Sequence, residues 1–209
     1  MSKQSENRKI KAVLFDLGRV IFHFDFHPAF KKLAKVSSLT PAAIRDYFLR
    51  SGLEVLYDGG QISSREFYNR VRREFNLPLR YHEFKKVWNE IFKPNPPVIR
   101  LIKKLRRNCR LVLVSNTNAM HYAHLRSRYG VLDHFHGKVL SFRQKIRKPD
   151  ARIYQAAAKI CRARPHQILY IDDRSDLTEA ARALGFHTFT FKNNPEALVK
   201  KMKSLRVLG

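Results

Sequence analysis

Four short motifs bring together residue types that can share one piece of chemistry. Asp16-Leu17-Gly18 follows the apolar run Val13-Leu14-Phe15, and Ser115-Asn116-Thr117 follows Val112-Leu113-Val114. Lys148-Pro149 closes a basic loop, and Asp172-Asp173 follows Leu169-Tyr170-Ile171. In an open α/β sheet, ligands bind in the crevice beyond the carboxyl ends of the strands. Singly, each motif has a plain explanation: a turn aspartate, a helix cap, one lysine among many, an acidic turn pair. In this order they describe a site for phosphoryl transfer. Clustered carboxylates raise one another's pKa unless a cation neutralises them, and oxygen-only donors suit Mg²⁺. A carboxylate can then attack phosphorus to form an aspartyl-phosphate. The amides of the Leu17-Gly18 turn, the Ser115 hydroxyl, the Asn116 amide and the Lys148 ammonium can hold the equatorial oxygens, over which transition-state charge spreads.

The elements that must position these residues are legible in the apolar patterning. Ala12–Phe15, Leu111–Val114, Ile168–Ile171 and His187–Phe191 read as buried strands, with Lys138–Leu140 a weaker fifth. Helical patterns lie between the later ones, at Ala119–Tyr129, Ala151–Cys161 and Asp176–Leu184, the last stopped by Gly185. Strands alternating with helices predict an α/β fold with a parallel sheet covered on both faces. The first strand breaks that rhythm. After it, helices are expected at Pro28–Ser37, Thr40–Leu49, Ser63–Phe75, Tyr81–Ile91 and Pro97–Arg107, with Thr40-Pro41 and Ser63-Ser64-Arg65-Glu66 as helix starts. Tyr57-Asp58-Gly59-Gly60 reads as a turn, and Pro94-Asn95-Pro96-Pro97 as an exit. The expected division is a sheet domain from residues 10–23 and 95–209, interrupted by a helical insertion at 24–94.

Composition bounds the rest. The chain has 209 residues, 44 % of them hydrophobic, enough for a core of its own. No apolar run approaches the roughly 18–20 residues of a membrane span, so no membrane partner is expected. Met1 to Lys9 is polar, lacks an apolar signal core and is expected to fray. Two cysteines, Cys109 and Cys161, fit buried thiols and a reducing cytoplasm better than a disulfide. The net charge of +25 is concentrated in the second half, around Lys103 to Arg107, Arg143 to Lys148 and Lys200 to Lys203. No aromatic-interleaved pattern accompanies those clusters, so solvated helix faces are favoured over a nucleic-acid surface.

The order Asp-x-Gly, Ser-Asn-Thr, Lys-Pro, Asp-Asp resembles the haloacid-dehalogenase-like (HAD) hydrolases over about Lys11 to Asn193. Phe15 to Ile21, Val114 to Asn118 and Lys148 to Tyr154 are similar to the small-cap bacterial sugar-phosphatase branch, to which α-glucose-1-phosphate phosphatases belong. The resemblance implies a Rossmann-like three-layer parallel-sheet core with an inserted all-helical cap. It implies Asp16 as nucleophile and Lys148 as its catalytic partner, with Leu17, Gly18, Ser115, Asn116 and Lys148 binding phosphate. Mg²⁺ would be held by Asp16, the Gly18 carbonyl, Asp172 and Asp173, with Asp173 or Asp176 acting through water. The expected activity is Mg²⁺-dependent hydrolysis of a small phosphomonoester, a sugar phosphate first of all.

Two departures from the family pattern matter. Most HAD phosphatases carry a second Asp two residues after the nucleophile, as acid and then base; here that residue is Gly18. A general acid contributes about 10²–10⁴-fold. A good leaving group, or His23 or Asp25 acting instead, would recover that loss. The second departure is the basic loop Ser141 to Lys148, where relatives often have an acid and a glycine. Two other classes compete with the phosphatase. One is a catalytically degenerate HAD-fold binding protein that uses a basic, RNA-binding face. The other is a 2-haloacid dehalogenase, which needs no metal; the Asp172-Asp173 pair and the missing aromatic at position 18 count against it.

Some residues invite stronger readings than their context supports. His121-x-x-His124 and His134-x-His136 have metal-like spacing but no third ligand. Phe67, Tyr68, Phe75, Phe84, Trp88 and Phe92 recur at helical spacing and are expected as insertion core. Tyr57 and Asp58, in a turn of the insertion, are candidates for substrate specificity.

Overall fold

The computed structural model describes residues 9–208. Of the stretch Met1 to Lys9 expected to fray, Met1 to Arg8 lie outside the described residues. The central strand is β1 (Ala12–Phe15), every residue of which is fully buried. Its side chains alternate between two cores. Val13 and Phe15 enter one, while Ala12 and Leu14 enter the other. A strand buried on both faces has no polar side, which is why its sequence is an unbroken apolar run.

Five parallel strands form the main sheet. With β4 (Arg110–Ser115), β5 (Gly137–Leu140), β6 (Ile168–Asp172) and β7 (His187–Thr190), the order is β5-β4-β1-β6-β7. Phe15 lies beside Leu113 on one side and Ile171 on the other, so the three strands end together at Asp16, Ser115 and Asp172. One sheet face is covered by α6 (Pro96–Leu105), α7 (Ala119–Arg128) and α11 (Pro195–Ser204). The other is covered by α9 (Ala151–Cys161) and α10 (Ser175–Ala183). This is the Rossmann-like α/β architecture expected from the sequence. Cys109 and Cys161 are free thiols, and no helix among the described residues is long and apolar enough to cross a membrane.

The insertion carries α1 (His27–Ala34), α2 (Pro41–Ser51), α3 (Leu53–Asp58), α4 (Ser64–Glu74) and α5 (Tyr81–Asn89). Thr40 and Ser63 cap α2 and α4 by accepting hydrogen bonds from Ala43 N and Glu66 N, both at 3.1 Å. These helices build a core of their own around Phe48, Phe67, Phe84 and Trp88, joined from the sheet domain by Met120.

Three details differ from the sequence reading. Two short strands, β2 (Phe22–Phe24) and β3 (Phe92–Pro94), pair antiparallel where the chain leaves and re-enters the sheet domain. Three-residue strands offer too little alternation to be seen in sequence. Phe92 therefore belongs to this ribbon and packs on the main core, not within the insertion. Tyr57 and Asp58 close helix α3 and are not turn residues; the turn is Gly59-Gly60.

Candidate active site

Lys148 is the hub of the strand ends. It is 5 % exposed, yet its ammonium is fully used: Nζ donates to Asp16 Oδ1 at 2.6 Å, Asp172 Oδ2 at 2.6 Å and the Val114 carbonyl at 3.2 Å. An ammonium has three protons, and all three find acceptors. Burial alone would lower the Lys148 pKa, but the charges of Asp16 and Asp172 outweigh it and raise it. Burial raises the Asp16 pKa, with Lys148 pulling it down and Asp172 pushing it up. Asp173 is raised by burial and by Asp172.

Asp172 is also held from its own side. Its Oδ1 accepts the Arg174 N–H at 3.0 Å, and its Oδ2 accepts the Tyr170 hydroxyl as well as Lys148. Burial, and then the charge of Asp172, pushes the Tyr170 phenol well above its ordinary range. Tyr170 and Asp172 are two apart on β6 and so share a sheet face.

Asn116 positions the lysine. Its side-chain Oδ1 accepts the Lys148 N–H at 2.8 Å, and its Nδ2 donates to the Lys148 carbonyl at 3.0 Å. Both ends of the carboxamide are thus engaged on the Lys148 backbone, which leaves the Asn116 backbone amide as its group for phosphate. Ser115 ends β4 and is 1 % exposed. Among the described residues, the Leu17 and Gly18 amides have no acceptor, and the Gly18 carbonyl has no donor. These groups face no competing partner.

Carboxylate oxygens of Asp16, Asp172 and Asp173 lie within 4.8 Å of one another, the one such His/Cys/Asp/Glu group among the described residues. Three hard oxygen donors with a single compensating lysine fit a small divalent cation of the Mg²⁺ type. Asp176 lies outside this set and pairs with Arg174 at 2.5 Å. Asp25 lies just before α1 and accepts the His27 N–H at 2.9 Å. His23 lies half-buried on β2 beside Lys93.

The insertion is docked against this edge. Asp58 Oδ1 accepts from Asn118 Nδ2 at 3.0 Å, and its backbone carbonyl accepts from Ser141 Oγ at 2.5 Å. Tyr57 is 2 % exposed; its hydroxyl accepts the Met120 N–H at 3.1 Å and shares a 2.6 Å hydrogen bond with Ser64. Gly60 has φ +67°, and a β-carbon there would stand 2.1 Å from the Phe142 carbonyl oxygen. The contact requires glycine.

His121 takes part in the same seam and not in a metal site. Nδ1 accepts from Asn118 Nδ2 at 3.0 Å, and Nε2 donates to the Trp88 carbonyl at 3.2 Å. Burial holds this imidazole neutral, with its pKa pushed down to about 3.

The sequence profile of the haloacid dehalogenase-like hydrolases matches residues 10–185, a span that holds all four motifs. The chain belongs to that family. This HAD hydrolase is 26 % identical to the D-ribitol-5-phosphate phosphatase of Bacteroides thetaiotaomicron, over 90 % of this chain and 94 % of that protein. It is 27 % identical to the glyceraldehyde 3-phosphate phosphatase of Methanopyrus kandleri, over 80 % and 77 % of the two chains. A HAD family enzyme from B. thetaiotaomicron, solved with magnesium and inorganic phosphate, superposes with a TM-score of 0.80 at 26 % identity, covering 88 % of this chain and 94 % of that one.

Sequence reasoning about this HAD hydrolase missed Tyr170, Asn118, Ser141 and Phe24. Only Tyr170 carried a usable signal, its period-two relation to Asp172. Asn118 and Ser141 are brought to the edge by contacts with the distant insertion, and Phe24 by the pairing of β2 with β3.

Proposed function

We propose that this hydrolase is a Mg²⁺-dependent phosphatase of a small phosphomonoester, a sugar or polyol phosphate, working through an aspartyl-phosphate on Asp16. The observation that carries the reading is the Lys148 ammonium shared between Asp16 and Asp172 beside a third carboxylate. The named activities of the two curated relatives support the substrate class.

Phosphate docks on the Leu17 and Gly18 amides, the Ser115 hydroxyl, the Asn116 backbone amide and Lys148, whose ammonium would exchange one of its three present acceptors for a phosphate oxygen. Asp16, Asp172, Asp173 and the Gly18 carbonyl would hold Mg²⁺, which when bound neutralises the carboxylates and the phosphate oxygens. An Asp16 oxygen attacks phosphorus as the alkoxide leaves, and water then cleaves the acyl-phosphate, returning the carboxylate. Lys148 works against burial to favour the ionised form of Asp16, and aims it. Residues 24–94 act as the cap, limiting water at the reacting centre and shaping the leaving-group pocket.

A panel including ribitol 5-phosphate, glyceraldehyde 3-phosphate and phenyl phosphate, assayed with and without Mg²⁺, tests this. Metal-dependent turnover that vanishes in Asp16→Asn is expected; no turnover on any ester, or full turnover in that variant, overturns it.

The rival is a binding protein with a basic face, and one structural feature favours it. Helices α6 and α11 flank a groove of about 490 Å³ whose lining includes Leu101 and Val199, the basic Arg100, Lys200 and Lys203, and the acidic Glu196. Salt-sensitive RNA binding that is lost on reversing the three basic charges would support it.

A further inference from the structure

Three charged side chains meet at the cap–core seam without satisfying one another. Glu54 and Asp58 lie one turn apart on α3, so their carboxylates share a helix face, where like charges repel. Arg147 approaches from the core loop that leads into Lys148. Its Cδ lies 3.6 Å from where a Gly59 β-carbon would be, so its stem runs along the end of α3. Its charge draws down the pKa of both carboxylates. Among the described residues it closes an ion pair with neither, and its Nε is buried with no hydrogen-bond partner. Glu54 has no side-chain hydrogen bond or ion pair among the described residues, and Asp58 uses only Oδ1, on Asn118. Two carboxylates with unused acceptor oxygens and a guanidinium with an unused donor therefore face one seam.

We propose that Glu54, Asp58 and Arg147 seat the hydroxyl-bearing part of the leaving group, and so select a polyol phosphate over other monoesters. This rests on the phosphatase reading. A hydroxyl both donates and accepts, so it can bridge a carboxylate and a guanidinium that do not reach each other. Once both carboxylates are ionised they outnumber the one guanidinium, which disfavours a second phosphate or an acid group and favours a neutral polyhydroxylated chain or ring. Both core loops that carry the phosphate-site residues also reach this seam. Arg147 directly precedes Lys148. Asn118, which holds Asp58, stands two residues after Asn116, which holds Lys148. Burial first, and then Asp58, lifts the Glu54 pKa to about 7; burial lifts Asp58 to about 6. Donated hydroxyls would favour the ionised forms of both.

The test compares ribitol 5-phosphate with phenyl phosphate, which has no hydroxyls, in wild type, Glu54→Gln, Asp58→Asn, Arg147→Met and Arg147→Lys. The ratio of kcat/KM values, ribitol ester over phenyl ester, is expected to fall about ten- to a hundredfold in the first three, mainly through KM on the ribitol ester, with partial recovery in Arg147→Lys. Wild-type turnover of either ester tests the phosphatase reading alone. A second arm needs no turnover: calorimetric affinity for ribitol 5-phosphate and for inorganic phosphate in Asp16→Asn, with and without Glu54→Gln. A loss confined to the ribitol ester supports the seat. Equal losses for both ligands, or an unchanged ratio in both near-isosteric variants, Glu54→Gln and Asp58→Asn, overturn it in favour of a purely structural cap–core contact.

Discussion

The Phe24 ring stands where a side chain on Gly18 would have to go. A β-carbon at position 18 would lie 2.8 Å from the ring edge and 3.8 Å from Asp16 Oδ2. The second carboxylate of most HAD phosphatases would enter through that point. Here β2 delivers an aromatic ring instead, with the Arg19 guanidinium 5.0 Å from the ring centre. The missing acid and the ring that fills its place are one feature of the structure.

Restoring the acid therefore requires moving the ring. Gly18→Asp alone is expected to cost about 1–3 kcal/mol of stability through overpacking, with no gain in kcat. Gly18→Asp with Phe24→Ala is expected to be more stable than Gly18→Asp and to raise kcat on alkyl phosphates by up to about a hundredfold. Thermal melts and turnover of glycerol phosphate check both. A single Gly18→Asp variant as stable as wild type would remove the steric argument.

Lys148→Met should leave Asp16 and Asp172 buried without a counter-charge. Breaking such an arrangement costs about 3–5 kcal/mol. Millimolar Mg²⁺ should recover part of that loss in the variant and stabilise wild type less, while turnover falls at least about a thousandfold. Melting temperatures with Mg²⁺ and with a chelator decide this; a variant indifferent to the metal contradicts the proposed carboxylate cage.

Asn116→Ala removes two hydrogen bonds to the Lys148 backbone, of 2.8 and 3.0 Å. The lysine stays chemically intact, so kcat should drop about 10–100-fold with a smaller change in KM. Asn116→Asp keeps the acceptor for the Lys148 N–H but puts an acceptor against the Lys148 carbonyl, so it should not recover the rate. Steady-state kinetics on one good substrate suffice, and equal activity of Asn116→Ala and wild type would refute the positioning role.

His121 sets part of the acid stability. Folded, it takes a proton only near pH 3 because burial disfavours its charged form; unfolded, it titrates near pH 6.5. Between those values the unfolded chain holds more protons. This contribution is fully present above about pH 6.5 and is lost as pH falls toward 3, on the order of 3–5 kcal/mol in total. Urea unfolding at pH 7 and at pH 4.5 should show a smaller loss in His121→Gln than in wild type. Parallel losses would mean that other groups carry the acid sensitivity.

The sequence by itself determined the sheet and the order in which the four motifs meet its edge. Apolar runs such as Val13 to Phe15 have no polar face, so they must be buried on both sides, and a polar residue directly after such a run must stand at the strand's end. That reasoning needs only local periodicity, and it placed Asp16, Ser115 and Asp172. Lys148 was legible only through its place in the motif order. What it holds was decided by the tertiary structure, because its partners are 132 and 24 residues away. The same is true of Asn118 on Asp58 and of Arg147 facing Glu54 and Asp58. Those contacts depend on how a helical insertion docks on the sheet edge. Docking geometry comes from the summed packing of two cores, and no local pattern along the chain records it.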